Sequence, residues 1–259
     1  MKKVIVVNGS PRRNGNTLRM ADSVVAGIQT VLSEVEVKWY DLYEFRYSGC
    51  RSCFACKAKD GGSYGRCVIG DDLSAVLDQI ADADCLIVAS PVYLMDVSGQ
   101  TRSFAERLCF SLGSYEKGYR SLAKKNMPVV TVYTMNALPE MASYRAFDNI
   151  EYFLGHIFSL PQRLCALNTY QFQDYTKYVV ETFSELERHT GVTCILRMIC
   201  KQLLMRAKIS PDNCMKGRGR RKSVSGLFFY IVVIDIRPGC QKNRNNDSQK
   251  IAYEISLQL

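Results

Sequence analysis

The first 189 residues predict an α/β fold, a doubly wound sheet of five parallel strands with helices on both faces. Three observations carry this. Runs such as Val4-Ile5-Val6-Val7 are nearly all β-branched, as expected of a strand buried on both sides. Between such runs lie segments whose apolar residues recur at helical spacing. Of the whole chain, 47% is hydrophobic and 10% aromatic, ample for a buried core and against wholesale disorder.

The elements follow in order. Lys3 to Asn8 is the first strand, running straight into a glycine turn. Asn16 to Leu32 carries Leu18, Ala21, Val24, Val25, Ile28 and Leu32 along one helical stripe. Val35 to Asp41 is the second strand. A cysteine-bearing loop follows, then a helix opened by Asp71-Asp72, acidic residues that suit its positive end, with Leu73, Val76, Leu77 and Ile80 as its apolar face. Asp84 to Ser90 is the third strand, and Ser98 or Gly99 opens a helix through Cys109. Met127 to Thr134 is the fourth strand, Met141 to Ile157 a helix, Arg163 to Thr169 a weaker fifth strand, and Tyr175 to Arg188 a last helix. No internal repeat interrupts the alternation.

Beyond His189 the regularity fails. Gly191 to Lys208 has the pattern of one more helix and Leu227 to Ile236 that of a strand, while Lys216 to Lys222 is a basic run broken by glycine. The formal net charge of +9 belongs to this stretch: residues 1–189 hold 21 basic and 21 acidic side chains, residues 190–259 hold 13 and 4. The division is therefore a balanced domain, 1–189, and a basic C-terminal extension, 190–259. Three readings of the extension stand beside one another: an arm for nucleic acid or an acidic partner, a completion of the fold, or the product of a shifted reading frame. A solvated charge run is the commoner case, so nucleic acid is not the expected partner. The opening Met-Lys-Lys and its short apolar run do not make a signal peptide, and the longest apolar stretch, Leu227 to Ile234, is far short of a membrane span. The expected setting is cytoplasmic, where the eleven cysteines are thiols, metal or cluster ligands, or redox partners rather than a disulfide framework.

In an open parallel sheet, ligands sit beyond the carboxyl ends of the strands where strand order reverses. After the first strand the chain reads Asn8-Gly9-Ser10-Pro11-Arg12-Arg13-Asn14-Gly15-Asn16-Thr17 and enters a helix. Small residues allow close backbone approach, hydroxyls and amides donate hydrogen bonds, Arg12 brings a positive fork, and the helix start adds free N–H groups. These are the parts of a phosphate cradle, without the Gly-Lys-Ser/Thr of a Walker loop or a G-x-G-x-x-G. After the third strand comes Ser90-Pro91-Val92-Tyr93-Leu94-Met95, an apolar and aromatic loop suited to a flat heteroaromatic ring. His156 and His189 form no Ser-His-Asp or zinc-histidine set.

Together, Gly9 to Thr17 and Ser90-Pro91-Val92-Tyr93 with Ser98-Gly99 resemble the two signatures of the flavodoxin-like NAD(P)H-dependent FMN reductases and their relatives, the iron-sulfur flavoproteins. The resemblance covers about residues 1–189 and implies a flavodoxin-like sheet of order 2-1-3-4-5. It implies an FMN whose phosphate is held by Ser10, Arg12, Asn16 and Thr17. The isoalloxazine would lie against Pro91, Val92, Tyr93 and Leu94, with Thr134, Met135 and Asn136 completing the ring site. It further implies NAD(P)H as co-substrate, an electron acceptor of unspecified kind, and a homodimer or homotetramer. Cys50, Cys53, Cys56 and Cys67 place four thiols in eighteen residues, a spacing able to wrap a [4Fe–4S] cluster. In the iron-sulfur flavoproteins the fourth cysteine follows the third closely, whereas here ten residues intervene. Alternatives thus stay open: an FMN reductase with free or redox-active thiols, a zinc site, an iron-sulfur flavoprotein carrying single electrons, or a flavin-free binding module using the basic tail. Cys85, Cys109 and Cys165 fall on predicted strands or helices and read as buried hydrophobes.

Overall fold

A computed structural model describes residues 1–30, 32–59, 61–137, 145–182 and 233–234. The strands are β1 (Lys2–Asn8), β2 (Val35–Asp41), β3 (Cys85–Tyr93), β4 (Asp96–Val97), β5 (Val129–Thr134), β6 (Gln162–Ala166) and β7 (Val233–Ile234). The helices are α1 (Asn16–Gln29), α2 (Asp72–Ile80), α3 (Gly99–Leu112) and α4 (Arg145–Ile157). The main sheet runs β2-β1-β3-β5-β6-β7, every neighbour parallel. The order expected for the five principal strands is therefore present. Two short strands were not expected in that sheet: β4, antiparallel to β3, and β7, which pairs with Cys165 and Ala166 of β6.

The β-branched runs are buried as their composition requires. Val4, Ile5, Val6 and Val7 of β1 and Leu86 to Ala89 of β3 are at most 2% exposed. Side chains alternate between two cores. One face meets α2, α3 and α4 through Ile5, Val7, Leu73, Phe104, Leu108 and Leu154. The other meets α1 through Val4, Val6, Met20, Val24 and Val132. Helix α2 begins as its acidic start suggests: the Asp71 side chain accepts from the Leu73 N–H while Ser74 accepts from the Asp71 N–H, a reciprocal cap. Among the described residues no helix is long and apolar enough to cross a membrane.

Four expectations need correction or limits. The third strand does not end at Ser90 but continues to Tyr93, because Val92 and Tyr93 find partners in Val97 and Asp96. The fifth strand stops at Ala166 rather than Thr169. Of the helix expected over Tyr175 to Arg188, the described part holds a single 3-10 turn, Tyr175–Lys177, capped by Asp174, and residues 183–188 lie outside the described residues. Its residues serve a different cluster: Phe172 stacks on Tyr178 at 4.1 Å and meets Tyr175 edge-on, and Tyr178 is extended. Val179 and Val180 favour that extended course. Residues 183–232 and 235–259 lie outside the described residues, as do 141–144 of the expected fourth helix, so the remaining readings of the extension fall there.

Candidate functional site

The carboxyl ends of β1, β3, β5 and β6 open on one cleft. Gly9 fixes its floor: its N–H donates to the Ala89 carbonyl at 2.7 Å and its carbonyl accepts from Ser98 Oγ at 2.7 Å. A Cβ at Gly9 would lie 1.8 Å from Thr101 Oγ1, so only glycine lets the first loop pass the start of α3. Asn8 then turns the chain, accepting from the Ser10 N–H at 3.1 Å and donating to Asp41 at 2.6 Å. Ser10 Oγ in turn accepts from the Arg12 N–H.

Helix α1 starts at Gly15 without a side-chain cap and with no acidic residue in its first turn. Its leading N–H groups and positive dipole end are thus left for an anion. Thr17 is buried and bonded to Thr134 at 2.7 Å across the cleft floor, which ties the first loop to the end of β5.

The cleft, about 110 Å³ in volume, is lined by Ser10, Arg12, Asn16 and Thr17 on one side and Pro91, Val92 and Tyr93 on another. Thr134, Met135 and Asn136 complete it. All the sequence-predicted flavin residues therefore converge here except Leu94, which stands fully exposed at the adjacent hairpin tip. Burial and the nearby Tyr43 push the Tyr93 phenol up while Arg12 opposes them; the aromatic side thus feels the cationic side across the cleft.

Thr169, Tyr170 and Gln171 also line the cleft and were missed by sequence reasoning. The Gln171 carbonyl accepts from Arg12 Nη1 at 2.6 Å and the Tyr170 carbonyl from Asn16 Nδ2 at 2.8 Å. Gln171 Oε1 accepts from Asn136 Nδ2 at 2.9 Å. The signal that would have found them is positional: they follow the fifth strand at its carboxyl end, where such sheets bind ligands.

The fit to FMN is good on this geometry. An uncapped helix start with Ser, Asn, Thr and Arg around it suits a dianionic phosphate, and a Pro-Val-Tyr wall with Met135 suits a flat ring.

Cys50, Cys53, Cys56 and Cys67 line a second pocket with Phe54, Val68, Ile69, Arg107 and Phe110. The loop is wound tightly: Ser52 and Phe54 take left-handed φ of 52° and 57°. Arg107, 1% exposed, holds it from α3. Its guanidinium donates to Cys67 Sγ at 3.3 Å, to the Ser48 carbonyl at 3.3 Å and the Ile69 carbonyl at 3.1 Å, and pairs with Asp71. Burial pushes the Cys56 thiol up, against the lowering effect of Lys57. Among the described residues no three His, Cys, Asp or Glu side chains gather closely enough for one metal ion. The four thiols thus face one pocket without converging on a point.

Cys109 and Cys165 are buried and Cys85 partly so, as expected of core thiols. Burial pushes all three up to about 12.

Comparison with known proteins gives a consistent picture. A family described as NADPH-dependent FMN reductase matches residues 2–160. Among curated proteins, an iron-sulfur flavoprotein of Archaeoglobus fulgidus is 32% identical over 106 residues, 41% of this chain and 45% of that protein. A second from the same organism is 29% identical over 154 residues, 59% and 69% of the two chains. An FMN-dependent NADH:quinone oxidoreductase of Metamycoplasma arthritidis is 26% identical over 123 residues, 47% and 59% of the two. The chain spans about half the length of most of the curated relatives it matches. Among solved structures, an FMN-dependent NADH-azoreductase from Bacillus anthracis in complex with FMN superposes with a TM-score of 0.54 at 10% identity. It covers 80% of this chain and 98% of its own, a likeness of fold.

Proposed function

The chain belongs to the NADPH-dependent FMN reductase family, and from that premise we propose that it binds FMN in the cleft at the ends of β1, β3 and β5 and oxidises NAD(P)H at the expense of a second acceptor. The observation that carries this is the convergence of a phosphate-type wall and an apolar aromatic wall on one cleft at the strand-order reversal. Bound there, FMN supplies the redox chemistry, taking two electrons from a nicotinamide and passing them on.

The protein's part is to bind and orient. The first-turn N–H groups of α1, Ser10, Asn16 and Thr17 would hold the phosphate, with Arg12 as the cation among the described lining residues. Arg12 has five N–H donors, and the bond to the Gln171 carbonyl uses one of them, so it is aimed without being saturated. Pro91, Val92 and Tyr93 support the ring, and buried Thr134 and Met135 keep water from its inner edge.

The test is a titration of the purified protein with FMN, followed by anaerobic mixing with NADH and NADPH. Flavin uptake and bleaching on nicotinamide addition are expected; a protein that takes up no FMN would refute the reading. Replacing Ser10 and Arg12 together by Ala should weaken binding by a few kcal/mol, since hydrogen bonds to a charged group contribute about 1.5–3 kcal/mol each.

A second reading is supported by the four thiols facing one pocket and by relatives named iron-sulfur flavoproteins: Cys50, Cys53, Cys56 and Cys67 hold a [4Fe–4S] cluster beside the Arg107 guanidinium. Anaerobic purification with iron and sulfide analysis separates it from a cluster-free reductase. By resemblance to the family, the working state is a homodimer or homotetramer, which light scattering of the flavin-loaded protein measures.

A further inference from the structure

The chain turns sharply after β6. Asn168 takes a left-handed φ of 52°, a conformation asparagine tolerates better than most residues. Its N–H donates to the Ala137 carbonyl at 2.9 Å, and buried Thr169 donates both its N–H and its Oγ1 to the Met135 carbonyl at 3.1 Å. From this anchor the next two residues reach the start of α1, where the Tyr170 carbonyl accepts from Asn16 Nδ2 at 2.8 Å. Tyr175 holds the segment from its far side, with ring centroids 5.9 Å from Tyr170 and 5.2 Å from Phe172. The backbone of Gln171 is pinned twice: its carbonyl accepts from Arg12 Nη1 at 2.6 Å and its N–H donates to the Tyr175 hydroxyl at 3.1 Å. Its side chain therefore starts from a fixed point, and Oε1 accepts from Asn136 Nδ2 at 2.9 Å. Gln171 thus bonds one residue on the phosphate side of the cleft and one on the ring side.

We propose that Gln171 is a positioning residue for the flavin: its side chain holds the Asn136 amide at the ring end of the cleft before the cofactor arrives, so that the polar edge of the ring meets a hydrogen-bonding group already in place. This rests on the FMN reading above and deepens it by a residue that lies in neither loop signature. An asparagine side chain on a loop otherwise samples several rotamers, and fixing one of them on binding costs affinity. A partner that fixes it beforehand removes that cost. Gln171 is itself exposed, so shortening it to Ala opens no core and leaves its backbone bonds to Arg12 and Tyr175 in place. The effect of that change is confined to Asn136.

The experiment titrates FMN into the full-length protein carrying Q171A, N136A or R12A, and into the pairs Q171A/N136A and Q171A/R12A. Q171A should weaken FMN binding about threefold to tenfold, as for one lost hydrogen bond, and should melt with the wild type. Added to N136A it should cause no further loss, because the group it positions is already gone. Added to R12A its loss should multiply in full, because the bond to Arg12 runs through the backbone. The midpoint potential of the bound FMN should move in Q171A in the same sense as in N136A, a change at the ring that a merely structural role would not produce. Unchanged affinity in Q171A or in N136A, or losses that multiply in Q171A/N136A, overturn the proposal. So does a loss shared with R12A, which would make Gln171 part of the phosphate wall, and so does a potential that Q171A leaves at the wild-type value. Wild-type protein that takes up no FMN refutes the parent reading as well, and is recognised before any variant is compared.

Discussion

Seven cysteines in the described residues share one chemistry and two fates. Cys53 is exposed and Cys50 and Cys67 half-buried, whereas Cys109 and Cys165 are enclosed by core residues. A thiol reacts as its thiolate, so burial protects twice, by blocking access and by holding the proton. Peptide mapping after alkylation of metal-free protein at pH 8 should find Cys53 modified first, and Cys109 and Cys165 only after denaturant. The same shift has a sign for stability. Burial raises the folded-state thiols of Cys85, Cys109 and Cys165 from an ordinary 9.0 to about 12. Between those limits the folded state binds protons that the unfolded state has released, so stability falls as pH rises through that window. Urea unfolding should show this contribution intact up to about pH 9 and declining above it; a midpoint that rises from pH 9 to 11 would contradict the assignment. Single residues were legible when their role was compositional. The loop from Asn8 to Thr17 was legible as a phosphate cradle because anion recognition calls for small, hydroxyl, amide and cationic residues at a helix start, while the roles of Ser10, Arg12, Asn16 and Thr17 within it are what the family resemblance implies. Leu94 was assigned to the ring wall by the family resemblance, and the left-handed turn that carries it outward gives no sign in sequence, since Leu-Met does not read as a hairpin pair.

At the level of elements, Arg107 on α3 is what joins the cysteine loop to the core. It has no exposed side-chain surface, and its partners Cys67, Ser48, Ile69 and Asp71 come from both ends of that loop. Removing it would take the charged partner from the Asp71 carboxylate, which keeps the Leu73 N–H, and a donor from the Ser48 and Ile69 carbonyls, the latter keeping Ser74 Oγ. Arg107→Ala should therefore cost about 3–5 kcal/mol, the range for breaking a buried ion pair from one side. Replacement by Lys, a single charge without the fork, should recover only part of it. Chemical denaturation measures both, and equal midpoints for wild type and Arg107→Ala would show that the loop is held by other means. Helices α1 and α2 were readable from apolar periodicity and from Asp71 as cap. The extension of β3 through Pro91 to Tyr93 was not, because it depends on a two-residue partner strand whose pairing no local pattern announces. The segment after Tyr175 had helical spacing, yet Phe172, Tyr175 and Tyr178 pack on one another instead; contact between aromatics outweighed a weak periodicity.

Across the whole molecule, Leu167 is the last side chain in either core among the described residues, and the net charge lies beyond His189. A chain ending at His189 should fold, take up FMN with an affinity within a few-fold of the full chain, and lose its retention on a cation exchanger at pH 7. A truncated protein that is folded but colourless would show that the last seventy residues contribute to the site. The amino-acid sequence by itself determined the parallel α/β architecture and the loops that form the two walls of the cleft, because burial on both faces and recognition of a phosphate each constrain residue type over a short contiguous stretch, whereas the order of the principal strands was implied by the resemblance those loops carry. Tertiary structure alone decided that Thr169, Tyr170 and Gln171 close the cleft, that four thiols and a buried guanidinium share one pocket, and that Leu94 points away into water. Each of these depends on backbone carbonyls, chain path or contacts between residues far apart, and such quantities leave no imprint on the local composition of the chain.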